Sequence, residues 1–238
     1  MEKIMLTSKD GFKSLFEKGE MMITDEMYER FFIYAKLLVE WNEKINLTAI
    51  TEPDEIALKH FYDSVYPFTL FDMPKSAKVI DVGTGAGFPS CPLKIYNDDI
   101  DLTLLDSLNK RIGFLTELSD KCGLDAKCIH SRAEDGGKNP DLRESFDIAC
   151  ARAVAPMYIL AEYCLPFVKV GGLFAALKGS SGSEELDEAK ESIKRLGGKT
   201  EKVTEYTLPN GDGRTLILIR KTTPTPAKYP RPKAKIKK

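Results

Sequence analysis

The apolar positions of this chain follow two periods, and the change between them divides it. From Thr24 onward, Met27, Phe31, Tyr34, Leu38 and Trp41 recur every three or four residues, the spacing of one helical face. Thr24 precedes that stripe as an N-cap, and Asp25 and Glu26 fall in the first turn, where the helix dipole favours acids. A second helix is expected from about Thr51, whose hydroxyl stands before Pro53 and Asp54, and it carries Ile56, Ala57, His60, Phe61 and Val65 inward. So many apolar side chains need cover that residues 1–74 read as a helical layer packed on a larger body.

From Lys75 strands and helices alternate. Strands are predicted at 78–82, 101–106, 126–130, 146–151 and 173–178, with helices centred near Lys94, Phe114, Leu160 and Glu188. The last unit differs in kind. EKVTEYTLP, NGDG and RTLILIRK spell an antiparallel hairpin with Asn-Gly and Asp-Gly turn chemistry, on the edge of an otherwise parallel sheet.

The chemistry sits where the first strand ends. KVIDVGTGAGFPS places Asp81 inside the strand and Gly83, Gly85 and Gly87 in the turn, with Phe88 placed to close a pocket wall; Asp106 ends the next strand nineteen residues after the last glycine. Glycines there allow a tight turn and close approach of backbone to a ligand, and a carboxylate at the second strand end can accept from both hydroxyls of a ribose. The spacing points to a nucleoside site. Ala133 and Glu134, in SRAED after the third strand, fall where an adenine edge would lie, although Glu134 also suits an ordinary surface acid. Arg152 follows the fourth strand and Lys178 ends the fifth, both at the sheet edge where open α/β folds hold ligands; each reads either as a substrate-facing cation or as half of a salt bridge. Arg132 flanks the adenine loop.

Composition narrows the class. With 238 residues, 42% hydrophobic and 30% charged, the chain can bury a sizeable core, and no stretch approaches the roughly 18 apolar residues of a membrane span. A cytoplasmic protein without membrane association is expected. Five cysteines with no CxxC pair read as reduced, four as apolar filler and Cys91, beside the turn, as undecided; two histidines leave no histidine-rich metal site to expect. The formal charge of −1 is uneven. Residues 221–238 hold seven Lys/Arg and no acid, leaving −8 on the rest, so this proline-containing tail reads as extended, either steering the chain to a polyanion or keeping it soluble.

Seven segments in order resemble the RsmG (GidB) family of bacterial 16S rRNA guanine-N7 methyltransferases. They are EWNEKINLTAI (40–50), KHFYDSV (59–65), DVGTGAGFPS (81–90), LLDSLNKRIGFL (104–115), SRAED (131–135), ARAVAP (151–156) and ALKG (176–179), with general resemblance through KYPR (228–231). The terminal hairpin fits the same fold class, a class I (Rossmann-like) S-adenosyl-L-methionine (SAM) methyltransferase sheet over 75–220, carrying the helical layer at one end and the tail 221–238 at the other. The resemblance implies methyl transfer from SAM, with S-adenosyl-L-homocysteine as product, to N7 of guanine 527 in the 530 loop of 16S rRNA, in the small subunit or its precursor, by a monomer without a metal. It implies SAM contacts at Gly83, Phe88, Ala133, Glu134 and Arg152, and an RNA-facing surface with Asn46, His60, Asp63 and Lys178. The tail departs from the family, whose members continue with Gly-Thr-Pro after PR where this chain has PKAKIKK.

Those roles agree with elementary chemistry. Guanine N7 has an exposed in-plane lone pair, so alignment rather than proton abstraction is the task, and Arg152 and Asn46 are the expected catalytic pair. Asn46 offers both donor and acceptor to a base edge, or else caps a helix end. His60 and Asp63 share a helix face and either orient substrate as a local pair or pack the layer. Other readings stay open: a SAM-dependent methyltransferase of another RNA or a protein, or a noncatalytic rRNA-binding assembly factor. Exocyclic-amine methylation fits poorly, because Ala151-Arg152-Ala153 stands where an Asn/Asp-Pro-Pro-aromatic motif is usual, and neither Cys150 nor Cys91 is placed as a pyrimidine-C5 nucleophile.

Overall fold

A computed structural model describes residues 6–236. Seven strands form one sheet: β1 (Lys78–Val82), β2 (Asp101–Asp106), β3 (Lys127–His130), β4 (Phe146–Arg152), β5 (Val168–Gly179), β6 (Gly198–Thr207) and β7 (Gly213–Lys221), in the spatial order β3-β2-β1-β4-β5-β7-β6. The first five are parallel; β7 runs antiparallel to both β5 and β6. The hairpin turn carries Gly211 at φ 94°, a left-handed conformation suited to glycine, with Leu208 N donating to Asp212 O at 2.9 Å.

The helices are α1 (Lys9–Glu17), α2 (Asp25–Ile45), α3 (Pro53–Glu55), α4 (Asp63–Val65), α5 (Ser90–Tyr96), α6 (Asn109–Cys122), α7 (Ala133–Gly136), α8 (Met157–Cys164) and α9 (Gly182–Arg195). Period-two alternation along the strands sends side chains to two separate cores. Val79, Leu102, Leu104 and Ile148 join α2, α5 and α6 on one face, while Ile80, Leu105, Ala149 and Phe174 join α8 and α9 on the other. The first core is continuous with the N-terminal layer, where Phe12, Phe16, Phe31 and Phe61 lie within 4.8–6.3 Å ring to ring. Thr24 caps α2 as predicted, accepting from Met27 N at 3.1 Å, and Tyr34 donates to Ala86 O in the glycine turn at 2.5 Å.

The second predicted helix is different in form. Its N-cap is Glu52, not Thr51, with no side-chain bond, and Ile56–Tyr62 is a π-helix between α3 and α4. The five positions expected inward are buried, but so are Tyr62, Asp63 and Ser64, because the widened turn is enclosed by α1, the glycine turn and the sheet edge.

The tail also departs from expectation. Lys221, its first cation, is fully buried, donating to Leu165 O at 2.7 Å and paired with Glu144 at 3.2 Å; burial lowers its pKa to about 8. Thr225, Tyr229 and Ile236 are buried as the chain returns across α8. Acids remote in sequence neutralise charges that composition alone assigns to solvent. Among the described residues no helix is long and apolar enough to cross a membrane.

Candidate functional site

The glycine turn is built outward from Asp81. Its buried Oδ2 accepts from Thr84 Oγ1 at 2.8 Å and Ser90 Oγ at 2.6 Å, joining the strand end to the start of α5, while Oδ1 has no hydrogen-bond partner among the described residues. Burial outweighs those bonds and raises the Asp81 pKa to about 7. Gly83, at φ 74°, donates to Leu105 O at 2.8 Å, and a Cβ there would press on Val154 at 3.1 Å. At Gly87, φ 92°, a Cβ would meet Tyr34 Oη at 2.6 Å, so only glycine lets the turn close on α2. Asp106 is committed to the same turn: Oδ2 accepts from Gly85 N and Oδ1 from Leu108 N, each at 2.9 Å.

Two cavities open at the carboxyl ends of the parallel strands. The first, about 300 Å³, is walled by Gly83, Leu108, Ala133, Glu134, Val154 and Tyr163. Tyr163 donates to Glu134 at 3.5 Å, and burial, followed by the Glu134 charge, raises the phenol to about 12. The second, about 390 Å³, is lined by Lys59, His60, Asp63, Arg152, Lys178 and Arg214 among others. They are separated by the residues after β4: Val154 faces the first and Ala153, held at φ 56°, the second.

Arg152 is fixed on three sides. Its guanidinium lies 5.0 Å from the Phe88 ring centroid, Nη1 donates to Lys59 O at 3.2 Å, and the same nitrogen stands 3.9 Å from Asp63 Oδ2. Burial lowers its pKa, opposed first by Asp63. Arg214 donates to the same Asp63 oxygen at 2.9 Å, so one buried carboxylate joins β7 to β4. Asp63 pairs with these arginines and not with His60. The His60 ring instead stacks on Phe88 at 4.3 Å and bonds Thr48 Oγ1 at 2.8 Å, and burial drops its pKa to about 3, leaving a neutral imidazole.

Several expected residues lie elsewhere. Asn46 is the exposed C-cap of α2, at φ 48° and ψ 66°, and lines neither cavity; Thr48, anchored through its amide to Asn42 Oδ1 at 2.8 Å, carries the NLT segment to His60. Phe88 lies behind Arg152 and His60, outside the 300 Å³ cavity. Lys178 lines the second cavity, but its ammonium is held by Glu185 at 2.7 Å and Ala155 O at 3.1 Å; Glu185 also accepts from Met157 N, so the pair clamps the segment between β4 and α8. Arg132 lines the first cavity, as α7's N-cap. Cys91, whose role the sequence leaves undecided, is fully buried with its pKa pushed well up, which leaves no accessible thiolate there. Lys59, Arg214 and Tyr206 are cavity residues that periodicity could not single out, because the contacts that gather them span most of the chain.

The comparisons agree with this architecture. Residues 27–214 match the family model described as rRNA small subunit methyltransferase G. Ribosomal RNA small subunit methyltransferase G of Clostridium perfringens (strain 13) is 50% identical over 224 residues, 93% of this chain and 94% of that protein. The protein of the same name from Bacillus velezensis is 50% identical over 225 residues, 94% of each. A SAM-dependent methyltransferase from Aquifex aeolicus superposes with a TM-score of 0.52 at 16% identity, covering 73% of this chain and 96% of that one, a likeness of fold.

Proposed function

The chain belongs to the rRNA small subunit methyltransferase G family, and from that premise we propose that it transfers the methyl group of SAM to N7 of guanine 527 in the 530 loop of 16S rRNA. What carries the reading is the meeting of the two cavities at Ala153–Val154, a nucleoside-sized one over Gly83 and a cation-lined one over Arg152. Four cations and two acids, Asp63 and Glu185, line the second, which favours a polyanionic substrate. The partner is 16S rRNA in the small subunit or its precursor, met by a monomer.

The first cavity suits the nucleoside of SAM. A Cβ at Gly85 would meet nothing within 4 Å, so the turn leaves room for backbone approach, and the wall offers the Glu134 carboxylate beside apolar Leu108 and Val154. Gly83, Ala133 and Glu134 would hold the adenosine end, and Asp106, through its grip on Gly85 and Leu108, sets the ribose side. When bound, SAM supplies an electrophilic methyl carbon on a sulfonium.

The chain's own work is orientation. The N7 lone pair is free in neutral guanine and no proton leaves it, which agrees with a site whose histidine is neutral and beside which Cys91 and Cys150 are buried thiols. Arg152 cannot swing, because Phe88, Lys59 O and Asp63 hold it, so it presents a fixed cation and ring-stacked wall to whatever enters the second cavity. The test is incubation with methyl-labelled SAM and undermethylated small subunits. Label in 16S rRNA supports the proposal; unlabelled RNA from protein that binds SAM contradicts it.

A further inference from the structure

Glu162 stands on α8 with its side chain 2% exposed, next to Tyr163 of the nucleoside cavity. Arg231 occupies its carboxylate completely: backbone N reaches Oε1 at 2.6 Å, Nε reaches Oε1 at 2.9 Å and Nη2 reaches Oε2 at 2.7 Å. Its immediate neighbour Pro230 rests on Gly137, the C-cap of α7, so closely that a Cβ there would lie 3.0 Å from Pro230 Cγ. Arg143 completes the fastening, donating from Nη1 to Gly137 O at 2.7 Å and Tyr229 O at 2.9 Å, and from Nη2 to Thr225 O at 2.6 Å.

These contacts converge on one wall. α7 begins with Ala133 and Glu134, α8 ends with Glu162, Tyr163 and Cys164, and the two are joined inside the cavity by the Tyr163–Glu134 bond. From behind, residues 225–231 touch both. The strap therefore sets the spacing of the two elements that form the adenine side, and its half-buried arginine is paired with a buried acid.

We propose that Arg231 is a positioning residue for the cofactor, acting through Glu162 to hold α8 against α7 and so to shape the nucleoside cavity. This rests on the SAM reading of that cavity. It makes the inner part of the basic tail a determinant of SAM affinity and not of RNA association.

The test is calorimetric titration of SAM into the full chain, for wild type, R231A, R231K and two controls. Phe12→Leu removes buried contacts in the core on the other face of the sheet and serves at matched loss of thermal stability; Lys228→Ala removes an exposed cation of the same strap. R231A weakens SAM at least tenfold, R231K recovers part of the loss because lysine supplies charge without the guanidinium fork, and both controls stay within twofold of wild type. The salt dependence of RNA binding is unchanged in R231A. R231K carries the same comparison if R231A does not fold. SAM affinity within twofold of wild type in the Arg231 variants, or an equal loss in Phe12→Leu, overturns the proposal; a wild-type chain that binds no SAM removes the cavity's reading and this inference together.

Discussion

Arg152 at the end of β4 and Asp63 at the start of α4, 89 residues apart in sequence, stand 3.9 Å apart with Arg214 at 2.9 Å from the same carboxylate oxygen. The carboxylate is 7% exposed and the Arg152 side chain 15%, so the cluster is screened far less than a surface pair. It joins the π-helical segment to the sheet at the cavity proposed for RNA.

Replacing Arg152 by alanine removes both the stack on Phe88 and the hydrogen bond donated to Lys59 O. Methyl transfer should fall by about a hundredfold, and stability by about 2 kcal/mol as Asp63 loses one partner. Arg152→Lys should recover charge but not the stacked geometry. Single-turnover rates and urea unfolding of the two variants check this; a folded R152A with wild-type rate contradicts it.

Asp81 gives a pH signature. Its folded pKa lies above the unfolded value, at about 7 against 3.8, so the folded state keeps a proton that the unfolded chain releases. The stability it contributes is complete below the unfolded value, falls as pH rises through the window to about 7, and is level above that, a total of about 4 kcal/mol. D81N lacks this dependence. Urea unfolding of both proteins from about pH 5 to about pH 8 should show wild type losing stability relative to D81N, by about 1.4 kcal/mol per unit up to about pH 7.

His60 shifts the other way, from 6.5 to about 3, with burial as the first cause and the Arg152 charge as the second. Its contribution to stability is present above the unfolded value and is lost as pH falls toward about 3. In NMR spectra the His60 imidazole signals should stay those of the neutral ring down to about pH 4, and the pH profile of methyl transfer should carry no inflection from it. A titration of His60 near neutrality contradicts the stacked, buried placement.

Much of the fold was legible because its determinants are local. The stripe from Met27 to Trp41, the Thr24 cap, the short apolar run of β1 and the Asn-Gly turn chemistry each act within a few residues. The site was less so. Asn46 has a side chain equally suited to a base edge and to a left-handed cap, and only the backbone at φ 48° decides for the cap. The π-helix is stabilised by what encloses it, including the Phe88 stack on His60, which no periodicity encodes. Arg231 and Lys221 looked solvated because their acids, Glu162 and Glu144, lie 69 and 77 residues earlier.

Lys178 tests the difference between a substrate contact and a clamp. Held by Glu185 and Ala155 O, it should act on the segment between β4 and α8. K178M is expected to lower kcat about tenfold with little change in KM for RNA or in the salt slope of binding. A raised KM with a slope shallower by about one would make it a phosphate contact instead.

The most direct measurement of the central claim is the position and chemistry of the transferred methyl group. Undermethylated small subunits would be incubated with the protein and labelled SAM, the RNA digested, and the labelled nucleoside mapped by mass spectrometry. The expected product is 7-methylguanine confined to the 530 loop; label at another nucleoside, or on an atom other than N7, would contradict the proposed reaction.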